Sequence, residues 1–346
     1  MQLDLWRLYR QMLFCRRYEE AVAEIWHEGL ISGEMHLGTG EEAIIVGVVS
    51  QLTETDALAL DHRGTAAMLT RGVDPISLLR EFLGRPDGLC KGMGGHMHLF
   101  SPKHLAASSG IVGAAGPAAV GFALAGQYLR PGSVAVAFFG DGAVNQGMLM
   151  EAMNLAVVWK LPVLFVCKDD QWAITTSAET VIGNAVTERA RGFGMPALEV
   201  DGNDIEDVFH STQAAIMHAR DGGGPTFIHA RCSHVEGHFL GYQLLRIVRK
   251  PLQELGAISI PLVKSFLDGK GAPVGKRLES LGDILSLMKT NAEKEYTAQD
   301  DPLQRVEQML SDPEQLQALK EEVNAQVEAI IKAALETQTS LEGAAT

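Results

Sequence analysis

Apolar positions follow two patterns along the chain, and the change falls near residue 134. Before it they recur at helical spacing, i, i+3 and i+4, over Leu3 to Glu28, Glu41 to Leu52 and Pro75 to Leu83, joined by Gly-rich, His-bearing connections. From Val134 onward, short continuous apolar runs alternate with helical segments. Val134 to Phe139 reads as a strand buried on both faces, Asn145 to Lys160 as a helix, and Leu161 to Cys167 as a second buried strand. That is a βαβ unit with a right-handed crossover. The alternation continues with a helix at Val186 to Phe193, a strand at Ala197 to Val200, a helix at Asp204 to Ala219 and a strand at Pro225 to Cys232. An α/β fold with a doubly wound parallel sheet follows. Beyond Arg249 the strand pattern stops, a Gly/Pro-containing connection spans 269–275, and Pro313 to Leu335 predicts a long charged helix. The expected organisation is an α/β domain over residues 1–250 and a helical extension over 251–346, with no internal repeat.

Leu105 to Leu129 is free of charge for 25 residues, long enough to span a membrane. It is mostly Gly, Ala and Ser with Pro117 inside, which contribute little insertion energy, so a buried, close-packed helix is expected instead. Asp4 and Arg7 would interrupt the apolar region of a signal peptide. The four cysteines are far apart and form no CxxC pair, which predicts reduced thiols in a cytoplasmic setting. A net charge of −14 without any basic block argues against a nucleic-acid or anionic-membrane partner.

Parallel sheets bind ligands at the carboxyl ends of their strands, where both Gly140-Asp141-Gly142 and Lys168-Asp169-Asp170-Gln171-Trp172 fall. Gly140 and Gly142 let the backbone approach an anion closely, and the helix start that follows offers unpaired N–H groups to a diphosphate. Asp141 would repel such a group unless a divalent cation lay between them. Mg²⁺ commonly shares carboxylate and phosphate oxygens, and Asp170 and the Trp172 carbonyl are candidates for its further ligands. Each piece alone is ordinary: a GDG turn is usually a turn, and an Asp pair after a strand is usually a helix cap.

Gly38-Thr39-Gly40-Glu41-Glu42-Ala43 imitates a dinucleotide fingerprint but follows no apolar strand, and a Walker loop is missing because Gly275-Lys276 is followed by Arg277. His96 and His98 would share a face on a strand, as a metal pair does; with no third ligand in view, a structural role is expected.

Gly140 to Gly147, the following strand and Cys167 to Thr176 closely resemble the thiamine-diphosphate motif of the alpha subunit of the 2-oxo acid dehydrogenase first component. That family includes pyruvate, branched-chain 2-oxo acid and acetoin dehydrogenases. The resemblance runs from about His36 to His238, in order through His36 to Ala43, His62-Arg63-Gly64, Gly92 to His98, Gly110 to Gly113, the GDG segment, Val200 to Asp204, and Gly237-His238-Phe239. It implies a transketolase-like thiamine-diphosphate fold. The Gly110 and Val112 backbones would hold the aminopyrimidine ring; Gly140, Asp141, Gly142, Ala143, His62 and Arg63 would surround the diphosphate. Mg²⁺ would sit on Asp141, Asp170 and Trp172, and His238 would stand near the diphosphate and the reacting substrate as the catalytic histidine. The cofactor would carry the cleavage or decarboxylation of acetoin or a small 2-oxo acid, and the acyl group would pass to a lipoyl-bearing acyltransferase. The family completes its site with a beta subunit in an α₂β₂ assembly, so this chain alone is expected to be inactive.

Three departures from the family pattern stand out. Asp169-Asp170 replaces the usual Asn-Asn and adds negative charge beside a diphosphate. His62 stands where many members have Tyr, and Gly241-Tyr242-Gln243 follows the histidine loop where members commonly continue with Asp-Pro. These changes keep a second reading open, a catalytically silent relative with an assembly or regulatory role. His62-Arg63-Gly64 and Gly237-His238-Phe239 look more like the acetoin branch, which favours acetoin or pyruvate over branched substrates.

Overall fold

Helix α1 (Leu5–His27) starts at Asp4, whose side chain accepts the Arg7 N–H, and buries Leu8, Met12, Cys15, Tyr18, Val22 and Ile25 at helical spacing. The structure is a computed structural model and describes residues 2–174, 176–234, 238–240, 276 and 301–336. After α1 come α2 (Glu42–Val49), strand β1 (Ala57–Leu60), α3 (Thr65–Thr70), α4 (Pro75–Phe82), β2 (Phe100–Ser101), β3 (Ala106–Ser108) and α5 (Ala115–Leu129). β4 (Ala135–Gly140) leads through a 3-10 turn (Asp141–Asn145) into α6 (Gly147–Val158), β5 (Val163–Asp169), a small hairpin of β6 (Trp172–Ala173) and β7 (Thr176–Ser177), then α7 (Ala178–Val181) and α8 (Val186–Gly192). β8 (Ala197–Asp201), α9 (Ile205–Arg220) and β9 (Thr226–Arg231) follow, and α10 (Pro302–Met309) and α11 (Pro313–Leu335) lie near the carboxyl end.

Seven strands form one sheet in the order β2-β3-β1-β4-β5-β9-β8, parallel except for the short edge strand β2. Alternate residues of the central strands enter separate apolar cores. Val136, Phe138, Leu164, Val166 and Ile228 join the core beneath α1, α2, α3 and α9; Ala135, Ala137, Phe139, Phe165 and Phe227 join the core beneath α5, α6 and α8. Burial on both faces explains why these strands read as continuous apolar runs.

The chain leaves β1 toward β3 on one side and later returns to place β4 on the other. Neighbouring connections therefore diverge between β1 and β4, and the crevice at their carboxyl ends is where a parallel sheet binds ligands.

The expected single helix over Leu105 to Leu129 is corrected. Its first part is strand β3, paired to β1 at Leu58↔Ala106, and only Ala115–Leu129 is helical. Gly113, at φ 85°, occupies the left-handed region between the two. β1 itself, Ala-Leu-Ala-Leu, went unread because four residues are too few to show a period. His96 and His98 do not lie on a strand, so the shared face fails; His96 is buried and His98 exposed. The helix expected over Asn145 to Lys160 is Gly147–Val158.

Leu303, Val306, Val323, Val327 and Ala334 of α10 and α11 enter the same core as α1 and α2. Tyr9 donates to Glu307 at 2.6 Å, Arg10 meets Glu322 at 2.6 Å, and Arg85 Nη1 donates to the Ala334 carbonyl at 2.9 Å. The expected boundary at 250/251, the connection 269–275, and Gly237 and Gly241-Tyr242-Gln243 lie outside the described residues. All four cysteines are free thiols. No helix among the described residues is long and apolar enough to cross a membrane.

Candidate active site

The carboxyl ends of β1, β4 and β5 open into a cavity of about 200 Å³. β1 is followed by Asp61, His62 and Arg63, β4 by Asp141, Gly142 and Ala143, and β5 by Asp170 and Trp172; all of these line it, together with Gly140, Val112 and His238. Of the expected site residues only Gly110 is missing from the wall. A side chain there would meet Met97 Sδ at 3.1 Å and His98 Nε2 at 3.3 Å, so Gly110 supports the loop from behind while Ile111, Val112 and Gly113 line the cavity.

Asp141 is 2% exposed, and its Oδ2 is buried with no hydrogen-bond partner among the described residues. Burial, then the nearby charges of Asp170 and Asp169, raise its pKa to about 7. A buried carboxylate in this state is either protonated or in need of a cationic partner. Beside it, a side chain on Gly140 would meet nothing closer than the Lys168 carbonyl at 3.8 Å, whereas one on Gly142 would lie 2.8 Å from Ala173 Cβ. Gly142 is thus required by the neighbouring loop, whereas the Cβ position of Gly140 has only an ordinary contact.

The β5 loop is held tightly. Asp169 is already engaged: Oδ1 accepts the Gln171 N–H at 2.8 Å and Oδ2 pairs with His229 Nε2 at 2.6 Å. Asp170 Oδ1 accepts the Trp172 N–H at 3.3 Å, and Oδ2 lies 2.6 Å from His234 Nδ1. Gln171 (φ 65°) and Ile174 (φ 58°) both sit in the left-handed region, strain that this hairpin stores next to the cavity.

Beneath the cavity is a buried charge network. Glu41 takes Lys168 Nζ at 2.5 Å and His234 Nε2 at 2.8 Å, with Arg63 Nε at 3.9 Å. Lys168 also reaches Asp61 at 3.1 Å. Against the opposing burial cost, Lys168 and the His234 hydrogen bond hold the Glu41 carboxyl far below its usual range. Burial and the Arg63 charge oppose protonation of His234, but Asp170 and Glu41 outweigh them and raise it to about 9. Arg63 donates to the Leu37 carbonyl and, at 2.6 Å, to the His238 carbonyl, which ties the histidine loop to the site.

A second cluster is neutral. His36, His62 and His238 bring ring nitrogens within 4.8 Å of one another, and His36 Nδ1 lies 3.1 Å from His96 Nε2. Burial first, then neighbouring cationic groups, lowers His36 to about 2, His96 to about 4 and His238 to about 3; His62 is also lowered by burial, to about 4. These rings are neutral at physiological pH and offer hydrogen bonds rather than charge.

Glu41, Asp61, Lys168 and His234 line the cavity, and His36 stands beside His62 and His238; sequence reasoning singled out none of these five as site residues. Lys168 was the available signal: a lysine closing an apolar strand run must find a buried carboxylate. Glu41 was read within the false nucleotide fingerprint. Its segment instead folds back on the charge network and leaves Gly40, at φ 102°, where a Cβ would lie 1.8 Å from the Ser233 carbonyl.

The fold and the site together define a parallel-sheet protein with a crevice rich in buried charge at its topological switch point. The family model "Dehydrogenase E1 component" matches residues 10–241. The chain belongs to that family. It is 40% identical over 239 residues to the alpha subunit of acetoin:2,6-dichlorophenolindophenol oxidoreductase of Bacillus subtilis (68% of this chain, 72% of the relative). It is 35% identical over 295 residues to the pyruvate dehydrogenase E1 component subunit alpha of Zymomonas mobilis (84% of this chain, 83% of the relative). Among solved structures, transketolase from Campylobacter jejuni shares the fold at a TM-score of 0.54 and 17% identity, over 73% of this chain; the chain spans 43% of that transketolase.

Proposed function

We propose that this chain is the alpha subunit of a thiamine-diphosphate-dependent dehydrogenase acting on acetoin or pyruvate, completed by a beta subunit. Mg²⁺ would be held by Asp141, Asp170 and the Trp172 carbonyl, and the acyl product would pass to a lipoyl-bearing acyltransferase in the cytoplasm. The observation that carries this reading is the orphaned, buried carboxylate oxygen of Asp141 beside Gly140 in the cavity wall. That pairing fits a hard cation with an anionic ligand, because a carboxylate and a phosphate can share one Mg²⁺. When bound, thiamine diphosphate supplies the carbon nucleophile and the electron sink for cleavage next to a carbonyl.

This chain's own residues bind, orient and transfer protons. Gly140, Gly142 and Ala143 would hold the diphosphate, together with Arg63 and His62 of the same cavity lining. His238, kept neutral by burial, is the proton-transferring group of the substrate side, and the Ile174 N–H lies 3.3 Å from its Nδ1. The cavity mouth supports the need for a partner: Ile111 is 61% exposed and Val112 and Ile174 are each 51% exposed. An apolar rim around a functional cavity is covered in the working assembly. The names of the matched relatives support a small substrate, acetoin or pyruvate.

Native mass spectrometry of the chain and whatever co-purifies, followed by turnover with acetoin or pyruvate and an artificial electron acceptor, tests the reading. A second chain, bound thiamine diphosphate and Mg²⁺-dependent turnover are expected. A chain recovered alone that takes up no cofactor overturns the proposal and favours a silent relative.

A further inference from the structure

Three imidazoles converge at the cavity from separate parts of the chain. His36 precedes α2, His62 follows β1 and His238 lies beyond β9, and one ring nitrogen of each falls within 4.8 Å of the others. Their backbones are tied together. Arg63, next to His62, donates to the carbonyl of Leu37, next to His36, and at 2.6 Å to the carbonyl of His238 itself. The Leu240 N–H donates to the Met35 carbonyl at 2.7 Å, a second tie between the His36 and His238 segments.

The ring nitrogens are disposed to receive an ion. His96 Nε2 accepts the His36 backbone N–H at 3.3 Å, so that nitrogen carries a lone pair; His36 Nδ1, 3.1 Å from it, therefore carries the proton. This leaves the lone pair of His36 on Nε2, the state in which a ligating histidine is held by its other ring N–H. His62 Nε2 is buried with no hydrogen-bond partner among the described residues. The lone pair of His238 at Nδ1 faces the Ile174 N–H at 3.3 Å, a long bond that an ion would displace.

We propose that His36, His62 and His238 form a site for a nitrogen-preferring divalent cation of the Zn²⁺ class. Three neutral imidazoles suit Zn²⁺ or Co²⁺, whereas Mg²⁺ demands oxygen. Tetrahedral Zn–N bonds of about 2.0–2.1 Å place the nitrogens about 3.4 Å apart, so side-chain movements of about 1 Å close the set. His62 and His238 line the cavity, and three protein ligands leave the fourth position for water or for a molecule bound there. His96 orients His36 from outside the ligand set. The site uses none of the carboxylates assigned to Mg²⁺, so it stands whether or not the cofactor reading does.

Co²⁺ is the probe, titrated into the full chain without an affinity tag and followed by its visible absorption, with Zn²⁺ and Mg²⁺ as competitors and the unfolding midpoint of every variant as a control. One Co²⁺ per chain with four-coordinate bands is expected, displaced by Zn²⁺ and not by Mg²⁺. His62→Phe should weaken binding by more than about 100-fold, since a lost ligand costs more than a lost orienting partner; His96→Phe, which removes only that partner, should weaken it about 10–100-fold. Asp141→Asn should bind Co²⁺ as the wild type does. A wild-type chain without four-coordinate bands overturns the proposal before any variant is needed. Bands that persist in a folded His62→Phe overturn it too, and bands lost in Asp141→Asn would place the ion on the carboxylates instead. A chain that binds Co²⁺ at the histidines yet takes up no thiamine diphosphate with Mg²⁺ overturns the cofactor reading and leaves this site in place.

Discussion

Asp141 combines a requirement for function with a burden on the fold. Its buried oxygen has no partner among the described residues and its pKa is raised to about 7, so the carboxylate destabilises the chain wherever no cation is bound. Asp141→Asn is expected to raise the stability of the cofactor-free protein by about 1 kcal/mol or more, while abolishing Mg²⁺-dependent cofactor binding. Denaturant unfolding and calorimetry on the same sample check both halves. Glu19 provides a pH test. It is fully buried and raised to about 8 by burial and the Glu42 charge, although it accepts the Gly38 N–H at 2.9 Å. A carboxyl whose folded pKa exceeds its unfolded value stays protonated in the native state while the unfolded chain ionises. Stability is therefore lost as pH rises between about 4.5 and 8. Glu19→Gln keeps an acceptor for Gly38 and does not ionise, so unfolding measured across that window should be flatter. The variant should be more stable than the wild type at pH 8 by about 2–5 kcal/mol. A parallel pair of curves would show that Glu19 is not the titrating group.

At the scale of elements, one side chain organises the loop that carries His96. Glu81, on the inner face of α4, takes the N–H groups of Cys90 and Gly92 on Oε2 at 2.6 and 2.8 Å, and those of Gly94 and Gly95 on Oε1 at 2.6 and 3.2 Å. Four donors converge on one buried carboxylate, and a side chain on Gly88 would lie 2.6 Å from the Glu81 backbone. Glu81→Ala leaves those donors without a partner and is expected to cost at least about 3 kcal/mol, with new protease cleavage between residues 88 and 95. An unchanged cleavage pattern would show that the loop holds itself. Legibility differed among elements for the same kind of reason. β4 and β5 were visible because each buries both faces and reads as an unbroken apolar run. β1 and β3 were not, because strands of four and three residues acquire their identity only by pairing with each other and with β4.

For the whole molecule, the apolar rim at the cavity mouth separates folding from assembly. Ile111 is mostly exposed, so Ile111→Asp is expected to shift the unfolding free energy of the chain by no more than about 0.5 kcal/mol. In the complex the same change buries a charge, so co-purification with the partner should be lost. An intact complex would place the partner elsewhere. The carboxyl-terminal helices pack on the amino-terminal ones: Arg16 joins Glu42 of α2 at 2.5 Å and Asp301, the cap of α10, at 3.0 Å.

Local order along the chain determined the α/β alternation, the strands at the sheet centre, and most of the crevice residues. Period, turn chemistry and motif order act over a few residues and survive in one dimension. Only the tertiary structure decided that Glu41 meets Lys168 and His234, 127 and 193 positions away, and that Gly110 stands behind the wall while Ile111 and Val112 form it. Buried charges take their partners from whatever the fold brings within reach, and sequence spacing carries no record of that choice.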